Sequence, residues 1–362
     1  MSNIIGIGII GTGFARKVQI PAFLHCEGVQ IASVASFRLE NARAAALESA
    51  AGHYTDDWRQ TVDRDDVDLV CITTPPPDHR EMTLFAIERG KHILCEKPMA
   101  MNVAEAAEMT AAAALSAKLA LIDHELRFQP GRQVAYKMLR DGTIGKIRHV
   151  KSFFQAPHRG DPTLAWNWWS DAAAGGGALG AIGSHVIDSL HWFLGTEISS
   201  VDCHLQTDIK ERRDAAGEMR AVTSDDSSYL LLKLADGELT EGASGLASIS
   251  MTEGPRYMNR VEFYGTGGAM RVDHLGEVFV ARSGAADWEI VPTDLGIHLP
   301  GMPDTGFARG FMEIAPKIVN AIRTGSAEIE HAATFADGLR VQRVLDAARE
   351  SDRTGRRISI GE

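Results

Sequence analysis

Cys95-Glu96-Lys97-Pro98 closes a short apolar run that begins at His92. A lysine at the carboxyl edge of a buried strand lies where open α/β sheets bind their ligands. Its ammonium can polarise a substrate oxygen, or share that oxygen's proton, during hydride transfer. Pro98 narrows the backbone states open to Lys97. A strand-end lysine by itself is more often a solvated surface charge, so the reading needs a second feature. Gly8-Ile9-Ile10-Gly11-Thr12-Gly13-Phe14-Ala15 supplies one. It lies where a first strand should turn into a helix: Gly11 permits a tight turn, and Gly13 lets the backbone approach a pyrophosphate that the helix N-terminus attracts. Arg16 stands where a small residue is usual, three places after Gly13. Ala15 is expected to take that packing role in a slightly altered turn.

The end of the second apolar run selects the cofactor. An acidic side chain there binds the adenine-ribose hydroxyls of NAD. This chain has Ser36-Phe37-Arg38 and no acid before Glu40. A hydroxyl and a guanidinium suit a 2′-phosphate, and Arg38 can also stack on adenine. NADP is therefore expected over NAD, with NAD as the second choice; the alternative is that Arg38 is a solvated first-turn residue.

The elements that would position these groups alternate between two periods. Ile4 to Ile10, Val29 to Ala35, Val67 to Ile72, His92 to Cys95 and Leu119 to Ile122 are apolar throughout, as buried parallel strands are. Helical segments separate them: Arg38 to Ala51, Asp78 to Arg89 stopped by Gly90, and a helix capped by Asn102. The pattern predicts right-handed crossovers and a doubly wound parallel sheet, an N-terminal Rossmann domain over residues 1–123. After one helix, Gln129 to Arg140, extended segments dominate: Ile147 to Gln155, Ser199 to Asp208, Ser227 to Ala235, Glu238 to Ser250, Arg260 to Tyr264, Ala269 to Asp273 and Glu277 to Ala281. Asp236-Gly237 suits a tight hairpin, and Lys210 to Ser224 reads as an exposed hairpin or loop. Helices near Gly183 to Leu194, Phe307 to Arg323 and Ala332 to Glu350 complete an α+β domain on a large, mostly antiparallel open sheet, residues 124–362.

Composition excludes several classes. A net charge of −11 opposes a phosphate-backbone partner. No apolar stretch reaches the roughly 18 residues of a membrane span. The N-terminus, Met1-Ser2-Asn3-Ile4-Ile5, shows no basic leader, and a cytoplasmic location is expected. Cys26, Cys71, Cys95 and Cys203 form no C-x-x-C pair and show no zinc-type spacing, so reduced thiols and no metal site are expected.

Glu96-Lys97-Pro98, taken with Gly11-Thr12-Gly13-Phe14, Thr73-Thr74-Pro75-Pro76 and Gly90-Lys91-His92, resembles the Gfo/Idh/MocA oxidoreductases, relatives of glucose–fructose oxidoreductase and inositol 2-dehydrogenase. Gly175-Gly176-Gly177-Ala178-Leu179-Gly180-Ala181-Ile182-Gly183-Ser184-His185-Val186-Ile187-Asp188 resembles that family's second-domain signature. The resemblance implies that Lys97 lies near the nicotinamide and that His185 is the acid/base. It also implies that Phe14, Thr74, Pro75, His79 and Glu96 join the cofactor site. A sugar, cyclic polyol or derivative is the implied substrate, and a homodimer or homotetramer the implied assembly. One position departs: Ala181 stands where family dehydrogenases commonly carry an aspartate, four residues before the histidine. That departure keeps two other readings open, a cofactor-binding regulator without turnover and a reductase of a cyclic diol or imine. Trp166, Trp168, Trp169, His158, Arg159, His124 and Arg127 are further candidates for the site, each with an ordinary core or interdomain role as its alternative.

Overall fold

The computed structural model describes residues 4–361. Met1, Ser2, Asn3, which belong to the N-terminus read above as leaderless, and Glu362 lie outside the described residues. The chain divides into two compact units, 1–129 with 296–339, and 130–295 with 340–362.

The first unit opens as β1 (Ile5–Ile10), α1 (Ile20–Leu24), β2 (Val29–Ala35), α2 (Leu39–Ser49), β3 (His53–Thr55), α3 (Trp58–Val62), β4 (Leu69–Ile72), α4 (His79–Glu88), β5 (His92–Cys95), α5 (Val103–Ala114) and β6 (Ala120–Ile122). The strands form one six-stranded sheet in the order β3-β2-β1-β4-β5-β6, and every pairing is parallel. The apolar runs are continuous because the sheet is covered on both faces: Leu69 and Cys71 enter one core, Val70 and Ile72 the other. The strand order reverses between β1 and β4. That is the switch point, beside whose carboxyl edge open α/β sheets bind their ligands.

In the second unit follow α6 (Pro130–Arg140), β7 (Ile147–Gln155), α7 (Ser184–Leu194), β8 (Ile198–Gln206), β9 (Glu211–Arg213), β10 (Met219–Ala221), β11 (Ser227–Leu234), β12 (Thr240–Ser250), β13 (Met258–Gly265), β14 (Gly268–Val272), β15 (Val278–Arg282) and β16 (Glu289–Val291). Here the sheet has nine strands, β16-β15-β14-β13-β7-β12-β11-β8 and a terminal β17 (Ile358–Ser359). Only β7 and β12 pair in parallel; the other neighbours are antiparallel. The alternating burial of β7 reflects a sheet packed on one face. Every residue of α7 is buried, and Phe193 meets Phe263 of the sheet edge-on at 5.1 Å. Asp236-Gly237 lies in the β11–β12 connection, where the Gly237 amide donates to the Thr240 carbonyl at 2.9 Å. The Lys210–Ser224 stretch forms the β9–β10 hairpin. It is not wholly exposed, since Arg212 is 0% exposed.

The division differs from a single cut near Asp123. The first unit also takes up residues 296–339, including α8 (Gly306–Thr324) and the start of α9 (Phe335–Thr354). Phe311 of α8 packs edge-on against Phe23 at 5.4 Å, and Ile314 and Ile318 join the same core as Ile7 and Ile9. An amphipathic stripe tells that a helix must cover an apolar surface; it does not tell which one. The strands β3, β16 and β17, of two or three residues each, were not anticipated.

Candidate active site

The first glycine turn is fixed from both sides. Gly11 has φ +96°, a region costly for any residue with a Cβ. A Cβ there would also lie 2.6 Å from the Thr73 carbonyl oxygen. The Gly11 amide donates to Ala35 at 2.8 Å, and the Thr73 hydroxyl donates to the Gly11 carbonyl at 2.9 Å. β1, β2 and the end of β4 are thus tied into one turn. Gly13 differs, because a Cβ there would meet nothing within 4 Å. Its openness leaves backbone accessible at a helix N-terminus, the geometry that accepts a pyrophosphate. Residues Ala15–Gln19 are wound as a π-helix. Ala15 is 0% exposed, while Arg16 turns outward and pairs with Glu48. The altered turn therefore buries Ala15 and lets an arginine occupy the next position. Phe14, half-buried, packs against the core below.

Lys97 follows β5 at the same carboxyl edge. Its Nζ lies 3.6 Å from Glu96 Oε2, and its side chain keeps 20% exposure against 8% for Glu96. Behind the pair is a buried polar cluster that sequence reasoning did not assemble. The Gln19 amide donates to Glu96 Oε1 at 3.1 Å and to Asp123 Oδ2 at 2.8 Å. Gln19 comes from the π-wound turn, while Glu96 and Asp123 directly follow β5 and β6. Burial raises the pKa of Glu96, opposed mainly by the neighbouring Lys97. Burial also raises that of Asp123, strongly, and there the charges of Glu125 and Glu96 add to the effect. Glu96 therefore braces Lys97 from within.

His79, also expected at the cofactor site, lies between two loops. It is 0% exposed, with Nε2 at 2.8 Å from the Thr74 carbonyl and Nδ1 at 3.1 Å from the Pro98 carbonyl. Burial lowers its pKa, against the raising effect of the carbonyls around it. The ring clips the Thr74-Pro75 loop to the loop after Lys97, so it can shape a cofactor site without reaching into it. Thr74 and Pro75 remain half-buried at the end of β4. Ser36, Phe37 and Arg38 follow β2. Phe37 is 61% exposed and Arg38 is exposed at the N-terminus of α2. The first acid, Glu40, lies inside the first turn of α2.

In the second unit the glycine run leads through a π-wound turn, Leu179–Gly183, into α7. His185 is in the first turn of α7 and is 3% exposed; Ala181, in the π-wound turn, is 7% exposed. Asp225 holds this approach. Its Oδ2 accepts from the Leu179 amide at 2.7 Å, and a Cβ on Gly177 would lie 2.1 Å from its Oδ1. Gly177 has φ +116°, so its lack of a side chain serves both the turn and the carboxylate. Burial is the main cause that raises Asp225 to about 6. The unfolded chain loses this proton near pH 4, whereas the folded chain keeps it to about 6. Stability owed to this group is present below pH 4 and is lost as pH rises through 6. Asp225→Asn retains an acceptor for Leu179 and has no proton to lose. The stability of the wild type relative to Asp225→Asn should therefore fall by about 2–3 kcal/mol between pH 4 and pH 7. Urea melts of both proteins at the two pH values measure it; a constant difference would refute the assignment.

The remaining candidates occupy varied surroundings. Arg220 lies 3.5 Å from the Trp166 ring, whose indole donates to the Ala221 carbonyl at 3.0 Å. Arg159 is 6% exposed and donates to Ser170 at 3.2 Å. Burial and the neighbouring Arg212 lower its pKa to about 10. Trp169 lies against Arg159, while Trp168 is 39% exposed. His158 is exposed beside them in a short 3-10 turn. His124 is 2% exposed. Arg127 pairs with Asp337 at 3.4 Å and donates to the His331 carbonyl at 3.3 Å, tying down the returning segment.

This geometry agrees with what comparison finds. An oxidoreductase family model with an NAD-binding Rossmann fold matches residues 5–124, and the GFO/IDH/MocA C-terminal domain model matches residues 133–271. The chain belongs to the Gfo/Idh/MocA family of oxidoreductases. An uncharacterized oxidoreductase of Synechocystis, sll0816, is 33% identical over 64% of this chain and 62% of its own length. An oxidoreductase domain protein from Kribbella flavida has 31% identity and a TM-score of 0.88, with 100% of both chains covered. A levoglucosan dehydrogenase solved with NADH and levoglucosan has 26% identity and a TM-score of 0.87, covering 99% of this chain and 100% of its own.

Proposed function

We propose that the protein is a dehydrogenase or reductase that prefers NADP, accepts NAD, and acts on a carbon bearing hydroxyl or carbonyl in a sugar, cyclic polyol or derivative. The observation that carries this reading is the placement of Lys97, at the carboxyl edge of β5, in the same sheet whose β1 ends in the Gly11–Gly13 turn, open at Gly13. The glycine turn fits a pyrophosphate, and Gly13 offers space where a side chain would stand. When bound, the nicotinamide supplies or receives the hydride. Lys97 orients and polarises the substrate oxygen, and His185 exchanges its proton. The name and ligands of the levoglucosan dehydrogenase support a sugar-like substrate. A homodimer or homotetramer in the cytoplasm completes the proposal.

Cofactor preference rests on Ser36, Phe37 and Arg38. A charge-assisted bond from a guanidinium to a phosphate contributes about 1.5–3 kcal/mol. Arg38→Ala should therefore weaken NADP binding by about 10- to 100-fold and NAD binding by less than about threefold. Titration of both nucleotides against both proteins measures the ratio. Equal losses would reject a phosphate-binding role for Arg38.

Ala181 favours a second reading. It places no polar atom in the turn before His185, and a site lacking one catalytic group fits a cofactor-binding regulator. A turnover assay over a panel of sugars, cyclitols and cyclic diols with NADP or NAD, and of imines with NADPH or NADH, separates the readings. Sustained reduction of the nucleotide by a sugar or cyclitol supports the first. Nucleotide binding without turnover on any of the panel supports the second.

A further inference from the structure

Two carboxyls, Glu96 and Asp123, are buried together behind Lys97, 6% and 0% exposed. One amide nitrogen, Gln19 Nε2, donates to both, at 3.1 and 2.8 Å, which holds them within hydrogen-bonding reach of each other. Two carboxylates this close in a low-dielectric interior do not both stay ionised. The surroundings decide which keeps the charge. Glu96 faces the ammonium of Lys97 at 3.6 Å. Asp123 faces carboxyls, those of Glu96 and of Glu125 on the following 3-10 turn. Its Oδ1 is buried without a hydrogen-bond partner among the described residues, a costly state for an ionised oxygen. The thiols of Cys71 and Cys95, on β4 and β5, are also close enough to feel both carboxyls. Burial raises the pKa of both, so they add no charge.

We infer that Asp123 is held as the neutral acid and donates its proton to the Glu96 carboxylate, so that the buried pair presents a single negative charge to Lys97. Asp123 is in this account a positioning residue for the Lys97 ammonium. It reaches Lys97 only through Glu96, and Gln19 fixes the geometry of the pair. The consequence for hydride transfer rests on the reading of Lys97 proposed above. The state of the two carboxyls does not, and can be tested without substrate or nucleotide.

Infrared spectra of the full-length protein at about pH 8, where Asp225 has lost its proton, should contain the carbonyl band of a buried protonated carboxyl, and Asp123→Asn should remove it. Labelling of Lys97 by an amine-reactive reagent at fixed pH, read by mass spectrometry, reports its charge partner. Asparagine at 123 can accept from Gln19 and donate to Glu96, so Lys97 in Asp123→Asn should label within about twofold of wild type. Glu96→Gln removes the charge and Asp123→Ala removes the donor; each should label about three- to tenfold faster. A purely structural role for Asp123 would not be rescued by asparagine in the labelling rate. Absence of the band in the wild type, its persistence in Asp123→Asn, or equal labelling in Glu96→Gln and wild type would overturn the inference. Failure of the sugar panel would leave these results unaffected.

Discussion

Lys97→Met should reduce kcat by about 10²- to 10⁴-fold, the range expected when a positioned acid–base or polarising group is lost. Nucleotide binding should change by less than about threefold. Methionine is chosen because it keeps most of the apolar stem and lacks the ammonium, so packing is preserved. Glu96 loses its nearest cation in this variant, which would normally leave a buried charge unpaired. The adjacent Asp123 softens that cost, since the pair can take up a second proton. The variant should therefore fold at neutral pH, and its thermal unfolding should confirm that before kinetics are compared. Steady-state rates with a substrate identified in the sugar and cyclitol panel, beside nucleotide titration, test the prediction. A kcat near wild type would remove Lys97 from the chemistry. Parallel loss of binding and turnover would make it a binding residue.

His185→Ala should lower kcat by a comparable factor and remove one limb of its pH profile. An unperturbed imidazole titrates near pH 6.5, within the range an acid/base group must span. Because His185 is 3% exposed, alanine also leaves a cavity in the first turn of α7. His185→Gln is the control, since it fills most of the space and hydrogen-bonds without titrating. Loss of kcat and of the pH limb in both variants supports proton transfer. Loss in alanine alone, with an unchanged profile in glutamine, would make His185 a packing residue.

The parts of the fold that depend on local pattern were legible. Buried parallel strands are apolar throughout, so β1, β2, β4, β5 and β6 stood out in the sequence, and Gly11 announced a turn that only glycine makes cheaply. Lys97 and His185 were reached through motifs. The buried cluster was not legible, because Gln19, Glu96 and Asp123 are separated by 77 and 104 positions and meet only when the π-wound turn faces the ends of β5 and β6. No periodicity marks a glutamine that will be buried. Arg16 beside a glycine turn looked like a departure, and its cause is the same π winding that brings Gln19 inward. The partners of His79 and Arg127 were hidden as well, because backbone carbonyls and Asp337 reach them only in the folded chain. The return of residues 296–339 to the first unit was hidden for a different reason: chain order predicts a neighbour, and α8 belongs to the unit that is more distant in sequence.

A crystal structure of the protein grown with NADPH tests the central claim most directly. The account predicts the pyrophosphate against the Gly11–Gly13 turn, the 2′-phosphate beside Ser36 and Arg38, and the nicotinamide ring within contact distance of Lys97 Nζ. A nucleotide bound elsewhere, or a ring on the far side of the sheet edge from Lys97, would contradict it.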